Sequence, residues 1–121
     1  MATNPVPPDG YTIARRWARF DLNVPLRVIA PKGDKIVIVQ GRGNELNEGG
    51  MSVFAGMEMK IGETVAVEFT PPYSGEPIRA RCIVRNRNGY TYGVEFLLET
   101  HEDHASAGQI RAVLHGMAAA R

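Results

Sequence analysis

The sequence predicts an all-β fold, a small antiparallel barrel closed by one C-terminal helix, on three observations. Short runs alternate apolar with polar residues, the period of a strand with one buried face. An Asn88-Gly89 pair separates the last two of these runs, the strongest short-range hairpin signal, since both turn residues tolerate positive φ. From Thr100 onward the apolar spacing changes to three and four, the period of an amphipathic helix. The chain has 121 residues, 44% hydrophobic and 22% charged, the size and composition of one globular domain with a single core. Six strands followed by one helix imply a six-stranded barrel whose helix covers an opening or an edge.

Taken in order, residues 1–12 read as a flexible Pro-rich tail, with Pro5, Pro7, Pro8 and Gly10 favouring extended chain without hydrogen-bonded structure. The barrel is expected over residues 13–98. Its first strand is "VPLRV", with Val24, Leu26 and Val28 on one face; Pro25 fits only where its missing N–H faces an edge or the strand start. Lys32 to Asp34 form a turn, and "KIVIVQGRGNEL" opens with the β-branched run Ile36 to Val39. "MSVF" is a short strand. "ETVAVEF" alternates Val65, Val67 and Phe69 against Thr64, Ala66 and Glu68. "IRARCIVRNR" places Ile78, Ala80, Cys82 and Val84 on one face and Arg79, Arg81 and Arg85 on the other. "YTYGVEFLL" closes the hairpin. Residues 99–121 form the helix, opened by a capping box of Thr100 and Asp103, with Ala107, Ile110, Leu114 and Met117 along one stripe.

The bulk chemistry excludes several functions. A net charge of +1 does not suit a protein that lives on bulk nucleic acid, where phosphate contacts dominate affinity. A single cysteine, Cys82, forms no internal disulfide, and its place on an apolar face makes it a small buried hydrophobe. The N-terminus has no basic start leading into an apolar run, and no stretch is long and apolar enough to insert in a membrane, so a cytoplasmic protein is expected. His101 and His104 in "HEDH" resemble half a metal site with nothing elsewhere to complete it. Ser52, Ser74 and Ser106 lack a nucleophile context, and the glycines of residues 41–50 lack the Gly-Lys-Ser/Thr ending of a phosphate loop. No enzyme, metal or cofactor is expected.

Two elements suit a ligand. "ARRWARF" holds Arg15, Arg16 and Arg19, whose planar guanidiniums present donor forks for phosphate oxygens and flat faces for a nucleobase. Alone, such a segment reads first as solvated surface. In "NELNEGG", Glu45 and Asn47 alternate with Leu46 at a strand end and point the same way out of the barrel. A carboxylate accepts from the two donors of a guanine Watson–Crick edge, and an amide both donates and accepts. Gly49 and Gly50 then allow a tight turn and a close backbone approach. Alone, this reads first as an ordinary polar hairpin turn with glycines for backbone reasons.

Together the two elements resemble the PilZ domain, a bacterial receptor module for cyclic di-GMP. That family carries RxxxR just ahead of the first barrel strand and D/N-x-S-x-x-G one strand later. Here Arg15 and Arg19 satisfy the first pattern, and residues 45–50 occupy the second, keeping Gly50. Glu45 stands in place of Asp or Asn and Asn47 in place of Ser, changes of reach rather than of chemistry. The resemblance covers roughly residues 13–98 and implies a cyclic di-GMP receptor. Arg15 and Arg19 would hold phosphate and stack on guanine, Glu45 and Asn47 would read the base, and Arg16 adds a second guanidinium within reach. For the mechanism, residues 1 to 20 are expected to close over the ligand and the signal to leave by contact with a protein partner. A ligand-blind PilZ adaptor is the alternative. A third reading, a single-stranded nucleic-acid barrel using Trp17, Tyr90 and Tyr92, conflicts with the near-neutral charge and with tyrosines expected on the core face.

Overall fold

A computed structural model describes residues 20–72 and 75–119. Six strands, β1 (Phe20–Lys32), β2 (Lys35–Leu46), β3 (Gly50–Ala55), β4 (Thr64–Phe69), β5 (Ile78–Asn88) and β6 (Thr91–Phe96), precede helix α1 (His101–Ala119). All neighbours are antiparallel, and the order β1-β2-β3-β6-β5-β4 closes on itself because β4 returns to β1. The predicted inward residues meet inside: Leu26, Val28, Val65, Val67, Phe69, Ile78, Ala80, Cys82 and Val84 are all buried. Burial pushes the Cys82 thiol up to about 12, so it packs as a hydrophobe and does not ionise near neutrality.

The strand order closes through β1 and β4, and the helix completes none of its pairings. Instead α1 packs along β5, and Ile110, Leu114 and Met117 are continuous with the barrel core. The helix starts as its sequence predicts: Asp103 N–H donates to Thr100 Oγ1 at 3.0 Å, and Asp103 Oδ2 accepts from the amides of Glu99 and Thr100. Arg81 adds a bidentate pair to the Asp103 carboxylate, at 3.0 and 2.8 Å. Residues between β3 and β4 fill another part of the interior. There Met59 is fully buried, and Tyr92 Oη donates to Met57 O and accepts from Met59 N–H.

Pro25 lies beyond the last β1–β4 pair, Leu26 with Phe69, so its missing donor interrupts no ladder. The last hairpin differs from expectation by one residue. Asn88 pairs with Thr91, so the central turn residues are Gly89 and Tyr90. Of the two only Gly89 has positive φ, +65°, the requirement of a II′ turn, which needs glycine at its first central position and not at both.

Candidate functional site

The site is built by two irregularities that reverse the side-chain phase of their strands. Along β2, Ile36, Ile38 and Gln40 face outward, and strict alternation would turn Leu46 out as well. A register shift between Gly43 and Glu45 inserts Asn44, so that Leu46 is fully buried and Glu45 turns out. On β5 a shift between Val84 and Asn86 leaves Arg85 as the extra residue and turns Asn86 outward, opposite Gly93. Asp21, Glu45, Ser52, Gly93 and Asn86 consequently form one register row across five strands.

An open groove of about 420 Å³ follows this row, lined by Glu45, Asn47, Gly50, Ser52, Arg85 and Glu95 among others. Its floor is low because Gly93 has no side chain: an added Cβ would lie 2.5 Å from Asn86 Oδ1. Glu45 is half-buried and its carboxylate has no hydrogen bond among the described residues. Asn47 is already partly committed. Its Oδ1 accepts from Gly49 N–H at 2.8 Å and Gly50 N–H at 2.9 Å, and its backbone N–H donates to Gly50 O at 3.0 Å. With both acceptor positions filled, the side chain offers a partner only its NH2 donors, so the expected donor-and-acceptor role reduces to donation. Gly50 has a reason within the barrel: an added Cβ would meet Val94 O at 2.1 Å. Arg85 Nε donates to Glu95 Oε1 at 2.6 Å. The charged groups among the described lining residues are therefore two carboxylates and one guanidinium.

Arg15, Arg16, Arg19 and Trp17 lie outside the described residues, as does Ser74. Phe20, the first described residue, pairs with Leu46, and Asp21 pairs with Glu45. The chain bearing the arginines therefore joins the fold beside the 45–50 turn. Sequence reasoning placed Arg85 with Arg79 and Arg81 but missed its part in the groove. The signal was the unbroken polar run of residues 85–88, which no strand with a buried face sustains. Arg79 and Arg81 serve the fold: Glu68 takes Arg27 and Arg79, and Asp103 takes Arg81. The Arg27 guanidinium holds the Glu68 carboxyl below the usual carboxylate range.

Of the two proposed stacking tyrosines, Tyr92 is buried, whereas Tyr90 at the hairpin tip is 49% exposed, contrary to its expected core position. The shifted turn explains it, since Tyr90 is a loop residue and not a strand residue. Ser106 Oγ donates to Arg79 O at 2.8 Å, and His101 and His104 are exposed. Among the described residues no three of His, Cys, Asp and Glu converge on a point where a metal ion would sit. No helix among the described residues is long and apolar enough to cross a membrane.

Comparison with known proteins gives a consistent result. The family model described as the PilZ domain matches residues 14–114. No curated protein matches the chain by sequence. Among solved structures, the chain is similar to the PilZ domain of CeSA from a cellulose-synthesizing bacterium, with 18% identity and TM-score 0.62 over 81% of this chain and 96% of that one. It is also similar to the PilZ domain of Escherichia coli YcgR with c-di-GMP, with 15% identity and TM-score 0.57 over 85% and 93%. A third similar structure is the Bacillus subtilis inhibitor of motility MotI/DgrA, with 13% identity and TM-score 0.58, of which this chain spans 53% while 88% of this chain is covered. At these identities the likeness speaks for the fold.

Proposed function

Because this chain belongs to the PilZ domain family, we propose that it is a cyclic di-GMP receptor that uses Arg15 and Arg19 on the phosphates and the β2–β3 groove on a base. The observation that carries the reading is Glu45. A bulge turns it onto the groove rim, and its carboxylate is left without a partner among the described residues. Two adjacent N–H groups on a guanine edge suit a bidentate carboxylate, and the Asn47 NH2 suits the N7 and O6 acceptors of the same base.

The described groove holds more negative than positive charge, so attraction for an anionic dinucleotide must come from the arginine segment. Arg15 stands five residues before Phe20, within about 18 Å of it at full extension. Arg16 lies within the same reach. Each charge-assisted hydrogen bond contributes roughly 1.5–3 kcal/mol, and micromolar affinity needs about 8 kcal/mol net. Two arginines and the Glu45 contact together meet that requirement if ordering costs little. On binding, residues 1 to 20 close over the ligand and alter a surface that a partner protein reads.

Backbone NMR of the labelled protein tests the placement. Adding cyclic di-GMP should shift the amides of Glu45 to Ser52 and of Gly93 to Glu95 while leaving those of β4 in place. Shifts confined to another surface, or none at millimolar ligand, would remove the site. The ligand-blind adaptor is favoured by one observation, the acidic balance of the described groove, and the second outcome of that titration would select it.

A further inference from the structure

The six residues of β3 cover only half of the twelve of β2. Pairing between them begins at Gly41 with Ala55, and residues 35–40 pair with β1 alone. Lys32 and Lys35 flank the two-residue turn and pair across it, exchanging hydrogen bonds as the closing pair of such a hairpin does. Alternation from that pair turns the backbone N–H and C=O of Val37 toward Ala30 of β1, and those of Ile36 and Ile38 away from it. Among the described residues, none of these outward groups has a hydrogen-bond partner. The side chains on the same residues are exposed as well, Ile36 at 71% and Ile38 at 51%, and they sit across from Pro31 and Ile29.

The two sides of this hairpin are protected unequally. On the β1 side, pairing with β4 stops at Ile29, and the next outward donor is removed by Pro31. On the β2 side, residues 36–40 contain no proline, no bulge and no charge, the devices that normally keep a strand edge from pairing. A short β-branched segment with these properties is a template for another strand.

We propose that this bare edge of β2 pairs with the same edge of a second copy of the chain, making a two-fold dimer. The segment is self-complementary. An antiparallel pairing centred on Val37 sets Ile36 of each copy against Ile38 of the other, joining outward-facing backbone groups and apolar side chains together. In the same register Lys35 meets Val39 and Asp34 meets Gln40, so no like charges oppose one another. The contact is separate from the groove, and it stands whether or not cyclic di-GMP binds.

Sedimentation of the full chain from low micromolar to submillimolar concentration tests the pairing, with hydrogen exchange read at both ends of the range. The wild type should dimerise, and the amides of Ile36 and Ile38 should gain protection only where the dimer forms. Ile38→Pro removes an edge donor that β1 does not use, and the Ile36→Lys/Ile38→Lys pair keeps the donors but charges the edge. Each should weaken dimerisation by about tenfold or more, while Leu98→Lys, at another exposed apolar residue, should not. Circular dichroism confirms that the variants fold, and the lysine pair serves where the proline variant does not. A wild type that stays monomeric overturns the proposal, whether the edge amides exchange freely or are covered by the chain itself. A dimer that survives in both edge variants overturns it equally.

Discussion

Glu45 and Asn47 show how far a residue's chemistry can be read before its neighbours are known. They point away from Leu46, which the bulge at Asn44 turns into the core while both of them keep partial exposure. What alternation does not supply is the commitment of Asn47 Oδ1 to Gly49 and Gly50, which depends on how the turn folds back on its own amides. Glu45 has no comparable bond and faces Asp21 across the ladder, a like-charge opposition that costs stability. Glu45→Gln should therefore weaken cyclic di-GMP binding about ten- to hundredfold while leaving the melting temperature equal or slightly higher. Calorimetry and a thermal scan on the same sample check both halves; unchanged affinity would remove Glu45 from the site.

At the scale of elements, the strands and the helix were legible because periodicity and capping are local. Thr100 and Asp103 lie three apart and cap the same helix end, whatever the rest of the fold does. The bulges at Asn44 and Arg85 were not legible, because each is defined by its partner strand's register. The same limit moved the last turn to Gly89 and Tyr90. The helix cap also carries a pH dependence. The Arg81 guanidinium, joined by the Glu99 and Thr100 amides, outweighs burial and holds the Asp103 carboxyl well below the usual range. In the unfolded chain this group takes its proton at about pH 3.9. Its stabilisation is therefore complete above that pH and is lost as the pH falls through the lower folded value. Thermal scans should show Asp103→Asn less stable than wild type at pH 7, with the gap narrowing below about pH 4. A gap that stays constant into acid would assign the loss to packing.

Over the whole molecule, six strands, their buried faces and the terminal helix follow from local patterns in one sequence, and PilZ membership agrees with them. The groove needed the structure, since it draws on residues from β2, β3, β5 and β6 that only barrel closure brings together. The proposed ligand site is divided between a described groove with excess negative charge and an arginine segment that joins it at Phe20. In the proposed receptor these two parts act together on cyclic di-GMP. Calorimetric titration of the wild type beside Arg15→Ala/Arg19→Ala tests this joint action. Micromolar or tighter binding that is lost in the double variant is the predicted result. Absence of heat with the wild type at millimolar ligand, or equal binding by both proteins, would contradict it.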